Sequence, residues 1–265
     1  MKIGRNINLW TGININLIKD TISMPYRYFA LKKDLRKLQS QYTKEDEFFP
    51  VNALYPCWMD KKDLAGTSRG DYFWQDLLCA QRIFLNNPER HIDIGSRIDG
   101  FVAHVASFRQ IEVLDIRPLS NDIPNVTFKQ CNIMDDKNIE QGSTDSISSL
   151  HCLEHFGLGR YGDPICYNGY LIGFKNIHAM LKPKGKFYFS TPIGKQRIEF
   201  HAHRIFSLRY LISMISPYYE IDQFSYIDEM GNLNANLEIT KELIDNNCGC
   251  NGNGYGVAVF ELTKK

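Results

Sequence analysis

The sequence predicts an α/β fold in which a mostly parallel sheet is flanked by helices and preceded by a helical extension. Three observations support this prediction. From residue 91 onward, short apolar segments of strand length alternate with segments of helical periodicity. Residues 1–85 contain few strand-like segments and form the expected N-terminal helical extension, followed by a domain at 86–265. The total of 265 residues suffices for one domain with such an extension.

The composition limits the classes of function. A formal net charge of +1 and an isoelectric point of about 7.6 argue against a nucleic-acid-binding protein. No apolar stretch approaches the roughly 18 residues of a membrane span, and the polar first residues lack the apolar core of a signal peptide. Seven scattered cysteines are typical of reduced thiols. We therefore expect a cytoplasmic protein without a membrane span or a nucleic-acid partner.

Two helices are expected in the extension. Between residues 28 and 42, apolar residues recur at helical spacing on one face, and basic residues occupy the opposite face. We interpret the basic face as solvated. Between residues 71 and 85 the pattern is again helical, with Asp71 in a capping position and Pro88 after the end.

The following elements alternate in type. Strands are expected at 91–94, 111–115, 126–129, 146–150 and 186–190. Helices are expected at 100–108, 168–181 and 207–215. A turn is expected at 182–185, and an antiparallel pair of strands at 218–226 and 255–262. In a sheet of this kind, ligands bind at the carboxyl ends of the strands.

The end of the first strand has features of a ligand site. We expect four residues here to bind a cofactor: Asp93, Gly95, Ser96 and Gly100. The first glycine lets the backbone approach a ligand, and the second opens the next helix. The spacing is not the G-x-G-x-x-G of dinucleotide folds, which argues against a nicotinamide dehydrogenase. An acid at the strand end disfavours a pyrophosphate and suits a cationic group such as an ammonium.

The ends of the next strands complete the candidate cofactor site. Asp115 can accept two hydrogen bonds from ribose hydroxyls. Asn132 can accept a hydrogen bond from an adenine amino group, with Ile116 and Ile133 on either side of the ring. Leu150 ends the fourth strand at the same edge. Ammonium, ribose and adenine together describe S-adenosylmethionine, which we predict as the cofactor.

These motifs resemble those of class I S-adenosylmethionine-dependent methyltransferases. HIDIGS is similar to their first motif, EVLDIRP to the second and FKQCNIMD to the third, which usually carries Asp where this chain has Asn132. More narrowly, PCWMD, GLGRYGDP and HAHRIF resemble a bacterial family often associated with surface-polysaccharide genes. The resemblance implies a Rossmann-like methyltransferase fold and this cofactor, but no particular acceptor.

Three histidines are candidates for the catalytic base. Methyl transfer to a hydroxyl needs an aligned nucleophile and removal of its proton, and a histidine of near-neutral pKa suits that role. His155 is the first choice, His151 the second and His201 the third. The alternative is that Glu154 and His155 only hold the loop or contact the cofactor. A divalent metal on this segment is disfavoured, because His151 replaces an acid of the oxygen-rich site that such a cation prefers.

The acceptor is expected in the loops after the fourth and fifth strands. Its predicted binding residues are Glu154, Arg160, Tyr161, Asp163, His203 and Arg204. On an extended segment, His201 and His203 would face the same side. Cys248 and Cys250 have no second pair nearby, so we expect no zinc site.

Three functions compete. The first is methyl transfer to oxygen of a sugar or sugar-linked phosphate group in capsule or surface-polysaccharide biosynthesis, for which the acceptor rests on the family resemblance alone. The second is N-methylation of a small amine. The third is a protein that binds S-adenosylmethionine without catalysis and assists a glycosyltransferase. We expect a small molecule or glycan precursor as substrate, and a homo-oligomer is compatible with the sequence.

Overall fold

The computed structural model describes residues 15–41, 49, 51–58 and 60–265. The chain divides into two compact units, Met1–Thr67 and Ser68–Lys265. In the first unit, helix α1 spans Ile15–Gln39. It includes most of the helix expected at 28–42, of which residue 42 lies outside the described residues.

Within the described residues, the second unit contains the other α-helices and all of the strands. Its helices are α2 (Asp71–Asn86), α3 (Ala103–Ala106), α4 (Gly169–Met180), α5 (Leu208–Ile215) and α6 (Lys241–Asp245). Its strands are β1 (His91–Ile94), β2 (Ile111–Asp115), β3 (Val126–Gln130), β4 (Thr144–Leu150), β5 (Leu181–Ile193), β6 (Arg197–Glu199), β7 (His203–Ile205), β8 (Tyr219–Ile227), β9 (Leu233–Asn234) and β10 (Gly256–Lys264).

Eight of the strands form one sheet in the order β3-β2-β1-β4-β5-β10-β8-β9. Strands β1 to β5 are parallel, and β10 runs antiparallel between β5 and β8. The predicted mostly parallel α/β sheet and its antiparallel C-terminal pair are therefore confirmed. Strands β6 and β7 form a separate hairpin. The chain order reverses at β1 and β4, which opens a crevice at their carboxyl ends.

Both faces of the sheet are covered, because side chains alternate along each strand. In β10, Ala258, Phe260 and Leu262 belong to the core that includes residues of α4 and α5. Val257 and Val259 belong to the opposite core, which includes residues of α2 and α3. With both faces packed, the carboxyl ends of the parallel strands are the edge at which a ligand can approach.

Helix α2 belongs to the second unit and not to the expected N-terminal extension. The boundary between the units lies at 67/68 instead of after residue 85. Cys79 and Ile83, one helical turn apart, are buried in the core beneath α2. The buried Arg82 donates a hydrogen bond to the Ser225 hydroxyl of β8 at 3.3 Å. The helical pattern was visible in the sequence, but the distant residues against which α2 packs were not.

Two elements differ locally from the expected ones. The helix expected at 100–108 is a π-helical turn over Ile98–Val102 followed by the short α3. Gly100 interrupts it, since its φ of −125° and ψ of −109° are not helical. The turn expected at 182–185 lies inside the bounds of β5, where Lys184 has a φ of 63° and the register with β4 is irregular.

Candidate cofactor and acceptor site

A pocket lies at the carboxyl ends of β1, β2 and β4. It encloses about 690 Å³, including space open to solvent. Six residues predicted to bind the cofactor line it, namely Gly95, Asp115, Ile116, Asn132, Ile133 and Leu150. Four residues predicted for catalysis or acceptor binding line it as well, namely His151, His155, Tyr161 and Asp163. The structure therefore brings residues from both predicted sites into one cavity.

Gly95 has the backbone conformation that the first motif requires. Its φ is 70°, in the left-handed region that favours glycine. A Cβ atom built on Gly95 would lie 2.3 Å from the Sγ atom of Cys152 at the end of β4. The first obstacle to a side chain is therefore this cysteine and not a ligand. The glycine lets the β1 turn pass close to the segment that follows β4.

Asp93 does not line the pocket, contrary to the expected contact with an ammonium group. It is fully buried, and Oδ1 accepts hydrogen bonds from the hydroxyls of Ser96 (2.7 Å) and Ser148 (2.6 Å). Its Oδ2 accepts the Ser96 backbone N–H at 3.0 Å. Burial raises the pKa of Asp93 to about 6, against the opposing effect of these hydrogen bonds. Asp93 and Ser96 thus fix the turn that carries Gly95.

Gly100 has a packing role in place of the expected role at the cofactor. It does not line the pocket. A Cβ atom at this position would lie 2.6 Å from Oδ2 of Asp76, a buried residue of α2. The absence of a side chain therefore allows α2 to pack closely on the segment after β1.

The carboxylate of Asp115 is already oriented by its neighbour Arg117. It accepts hydrogen bonds from the Arg117 backbone N–H (2.8 Å), Nε (3.0 Å) and Nη2 (2.6 Å). A carboxylate offers about four lone-pair sites, so about one remains for a ribose hydroxyl while Arg117 is paired in this way. The Arg117 guanidinium lies 4.7 Å from the centre of the Tyr161 ring, which joins this side of the pocket to the loop after β4.

Other residues of the pocket wall provide the groups expected for a purine base. Ile116 and Ile133 both line the pocket, as does Met134. The Asn132 Oδ1 atom accepts the Met134 N–H at 2.9 Å, and an amide oxygen can accept a second hydrogen bond. Together with the close backbone approach at Gly95, these residues fit the adenosine part of S-adenosylmethionine.

On the acceptor side, His151 is held by both its backbone and its ring. Its φ of 50° is unusual for a side chain of this size. Its backbone N–H faces Ser190, with the carbonyl oxygen at 3.2 Å and the hydroxyl at 3.1 Å. Its Nδ1 lies 2.9 Å from Oε1 of the fully buried Glu154. Among the described residues, none hydrogen-bonds its Nε2, which lies 4.0 Å from Oδ2 of Asp71.

His151 and Glu154 stabilise each other's charged forms. Burial opposes the imidazolium, but the hydrogen bond and charge of Glu154 raise the pKa of His151 above its ordinary value. Burial likewise disfavours the carboxylate, but His151 lowers the pKa of Glu154. Glu154 was predicted to bind the acceptor. Its complete burial behind His151 makes it the partner of that histidine instead.

His155 has the opposite electrostatic character. Its Nδ1 lies 2.6 Å from the carbonyl oxygen of Ala202, so Nδ1 carries the proton and donates it. Its Nε2 lies 3.8 Å from Oε1 of Glu154. Burial lowers the pKa of His155, outweighing the opposite effect of that carboxylate. The Tyr161 ring stands edge-on to it at 5.5 Å.

Two residues predicted to bind the acceptor instead shape the loop after β4. Arg204 is buried and donates hydrogen bonds to four backbone carbonyls, those of Glu154, Phe156, Cys166 and Tyr167. Asp163 accepts hydrogen bonds from three backbone N–H groups, those of Gly157, Gly159 and Tyr161. Although Asp163 also lines the pocket, its carboxylate serves the loop. The two side chains hold the segment that positions His155 and Tyr161.

The remaining candidates lie outside the pocket wall. His201 is exposed, and its φ of 67° places it in the turn between β6 and β7. The segment is therefore not extended there, and the expectation that it shares a side with His203 does not hold. His203 lies 3.3 Å from the Glu199 carboxylate, with its ring 6.3 Å from that of His155. Arg160 is exposed and stacks on Tyr161 at 5.1 Å.

Sequence reasoning missed several residues of the wall. The polar ones are Tyr72, Arg97 and Arg117. Tyr72 belongs to α2, which was assigned to the extension, and its ring lies 5.3 Å from that of His151. Arg97 stacks on Tyr72 at 5.2 Å. The aromatic cluster at the start of α2 was the available signal for this contribution.

Two absences apply to the part of the chain that the structure describes. Within it, no group of three or more His, Cys, Asp or Glu side chains has the arrangement of a metal site. Nor does any helix in those ranges combine the length and apolar character that crossing a membrane requires.

The strand order and the pocket at its reversal define the class I methyltransferase fold. The chain belongs to the family described as "Caenorhabditis protein of unknown function, DUF268", which matches residues 110–248. No curated protein matches the sequence.

Two similar solved structures share this fold. The 1,6-didemethyltoxoflavin-N1-methyltransferase of Burkholderia thailandensis, with bound 1,6-didemethyltoxoflavin and S-adenosylhomocysteine, has a TM-score of 0.50 and 13% identity, covering 72% of this chain and 78% of that one. The [4+2]-cyclase SpnF has a TM-score of 0.52 and 13% identity, covering 76% and 84%. At these identities the likeness establishes the fold, and their different reactions show that the fold does not determine the chemistry. The S-adenosylhomocysteine in the Burkholderia enzyme agrees with the predicted cofactor.

Proposed function

We propose that the chain is an S-adenosylmethionine-dependent methyltransferase that acts on oxygen of a sugar or sugar-linked phosphate group. The observation that carries this proposal is that residues predicted to bind the cofactor and residues predicted for catalysis line the same pocket. Gly95 and Asp115 line the pocket together with His151, whose Nδ1 lies 2.9 Å from the buried Glu154. The sugar acceptor and a role in surface-polysaccharide biosynthesis rest on the sequence resemblance.

The adenosine part of the cofactor has counterparts among the residues of the pocket. When bound, S-adenosylmethionine supplies an electrophilic methyl group on a positively charged sulfur. Asp115 would accept hydrogen bonds from the ribose hydroxyls. Ile116 and Ile133 would hold the adenine ring, and Asn132 would accept from its amino group.

We assign proton removal to His151, the second choice of the sequence analysis. With Nδ1 directed at Glu154, its Nε2 accepts the proton of the acceptor hydroxyl. The positive charge that His151 then carries is stabilised by the Glu154 carboxylate at 2.9 Å. The raised pKa of His151 makes it the stronger base of the two histidines on the pocket wall.

His155 orients the acceptor in this proposal. Its Nδ1–H is engaged by Ala202, so Nε2 can only accept a hydrogen bond. Because burial lowers its pKa, His155 stays neutral at neutral pH. The Tyr161 ring packs edge-on against it at 5.5 Å.

The test begins with calorimetry of the full chain with S-adenosylmethionine and S-adenosylhomocysteine. A panel of nucleotide sugars and sugar phosphates is then screened for formation of S-adenosylhomocysteine. Micromolar binding and turnover that is lost in His151→Ala would support the proposal. Binding without turnover on any hydroxyl acceptor would favour the non-catalytic function, and absence of binding would overturn the proposal itself.

A small amine is the second candidate acceptor. The observation that favours it is the Asp71 carboxylate, 4.0 Å from Nε2 of His151, since a carboxylate attracts a cationic or hydrogen-bond-donating nitrogen. Methylation of an amino sugar in the same panel, without methylation of its hydroxyls, would establish this alternative.

A further inference from the structure

Asp71 presents an unused acceptor group to the proposed catalytic base. It is the first residue of α2, and its Oδ2 lies 4.0 Å from Nε2 of His151. That distance exceeds the range of a hydrogen bond. The His151 side chain is 7% exposed and that of Asp71 is 29% exposed. His151 lines the pocket and is almost fully buried, whereas Asp71 is not among the lining residues and is partly exposed.

Neither atom finds a hydrogen bond elsewhere in the described part of the chain. The Nε2 atom of His151 is buried without a partner there, although Nδ1 of the same ring is paired with Glu154. Among those residues none donates a hydrogen bond to the Asp71 carboxylate. Buried polar groups in folded proteins are normally satisfied, so the unpaired Nε2 of His151 indicates a place for a ligand group, with the partly exposed Asp71 carboxylate beside it.

The chemistry of the two atoms specifies that ligand group. An ionised Asp71 only accepts hydrogen bonds, and His151 acts as an acceptor through Nε2 when Nδ1 carries the proton. The ligand must therefore offer two proton donors side by side. Hydroxyls on neighbouring carbons lie closer together than the 4.0 Å between the two acceptors, so each can donate outward to one of them. The Tyr72 ring, 5.3 Å from the ring of His151, provides an apolar wall next to this gap.

We propose that Asp71 and His151 together bind a vicinal diol of the acceptor. The reacting hydroxyl donates to Nε2 of His151, and its neighbour donates to the Asp71 carboxylate. As the reacting oxygen bonds to the methyl carbon, the carbon–sulfur bond of the cofactor breaks with its electron pair on sulfur, and the hydroxyl proton moves to Nε2. The neighbouring hydroxyl keeps its proton. This inference rests on the proposed methyl transfer to oxygen and narrows its acceptor to polyols.

The experiment uses the full chain with GDP-mannose, UDP-glucose and UDP-galactose, together with the single-deoxy analogues of each. Calorimetry on the protein saturated with S-adenosylhomocysteine measures acceptor binding, and release of S-adenosylhomocysteine from S-adenosylmethionine measures turnover. The variants are Asp71→Ala, Asp71→Asn and the control Asp245→Asn, an exposed aspartate of α6 that pairs with Arg209. Affinity for S-adenosylhomocysteine in each variant shows that the fold is intact.

For a sugar that the wild type methylates, we expect removal of the hydroxyl next to the methylated one to weaken binding at least about tenfold. The Asp71→Ala variant should bind the sugar and its deoxy analogue equally, and Asp71→Asn should recover part of the difference. The control variant should behave as the wild type.

The proposed binding of a vicinal diol is wrong if the wild type binds the sugar and its deoxy analogue equally. It is also wrong if Asp71→Ala still binds the sugar more tightly than the analogue. In either case the proposed methyl transfer to oxygen is unaffected. Methylation of the nitrogen of UDP-glucosamine in place of any hydroxyl overturns the diol in favour of an amine. Cofactor binding with no sugar bound or methylated removes both the diol and the proposed sugar acceptor.

Discussion

The two sides of the pocket are built in different ways. On the cofactor side, Gly95, Asp115 and Asn132 stand at or just beyond the ends of consecutive strands, and local backbone geometry places them. On the acceptor side, His151 and His155 depend on contacts with residues far away in the sequence. The comparison teaches that one half of the site is specified by the fold and the other by side chains that hold loops.

The comparison predicts the largest loss for a change in the fold-specified half. Gly95→Val should abolish binding of S-adenosylmethionine, because its Cβ would lie 2.3 Å from Cys152 Sγ at a φ that disfavours side chains. Calorimetry measures the loss, and a cooperative thermal transition shows that the protein is folded. Gly142→Val is the matched control, since its φ of 58° is similar but nothing lies within 4 Å of its Cβ.

A double variant separates two causes of that loss. The Cys152→Ala substitution removes Sγ. The nearest atom to a Cβ at position 95 is then the Cβ of residue 152, at 3.5 Å. If Cys152 is the main obstacle, Gly95→Ala should bind better in the Cys152→Ala background than alone. Equal loss in both backgrounds would show that the side chain displaces the cofactor itself.

Changes on the acceptor side should leave the cofactor side intact. His151→Ala should lower turnover by about 10²–10⁴ while cofactor affinity stays within a few-fold. His151→Gln should be no better, since an amide cannot take a proton at neutral pH. His155→Ala should have the smaller effect, and the exposed His104→Ala none. A larger loss in His155→Ala than in His151→Ala would return the role of base to His155.

Asp115, on the cofactor side, is paired with Arg117. Asp115→Ala should weaken S-adenosylmethionine binding at least about tenfold, because a hydrogen bond to a charged group contributes about 1.5–3 kcal/mol. Arg117→Met keeps the carboxylate and should have a smaller effect. Calorimetry of the folded variants tests both, and unchanged affinity in Asp115→Ala would exclude the ribose contact.

The smallest effect concerns stability and the buried Asp93. The pKa of Asp93 is about 6 in the folded protein and 3.8 ordinarily. As pH rises, the unfolded chain therefore releases the proton first, which favours unfolding. The free energy of unfolding should fall between about pH 4 and about pH 6. We expect a difference on the order of 1–3 kcal/mol across that window. Urea unfolding of the wild type and Asp93→Asn at several pH values measures it. If the free energy of unfolding depends on pH in the same way in both proteins, Asp93 ionises with its ordinary pKa in the folded state.

What the sequence predicted well was governed by neighbouring residues. Strands β1 and β2 have the expected bounds, because each is a short apolar segment closed by polar or glycine residues. The helix α5 begins after Ser207, whose hydroxyl accepts the Tyr210 N–H at 3.2 Å, as a serine at a helix start suggests. Six of the residues predicted to bind the cofactor line the pocket, for the same local reason.

What it predicted poorly depends on residues brought together by folding. Arg204 was expected to bind the acceptor, because an arginine in a loop near a site resembles a ligand-binding group. Arg204 instead donates hydrogen bonds to backbone carbonyls that are distant in sequence, and no local sequence pattern predicts these contacts. Asp71 and His151, whose side chains approach to 4.0 Å, are eighty positions apart in the sequence. Contacts of that kind require the three-dimensional arrangement of α2 and β4.

The contact between Gly95 and Cys152 has a consequence for the history of this family. The two positions touch at the ends of adjacent strands, so a side chain at 95 requires the Cys152 Sγ to move or to be removed. A smaller residue at 152 needs no change at 95, whereas a side chain at 95 must also adopt a φ of 70°. Aligned relatives that carry a side chain at 95 should therefore carry a small residue at 152.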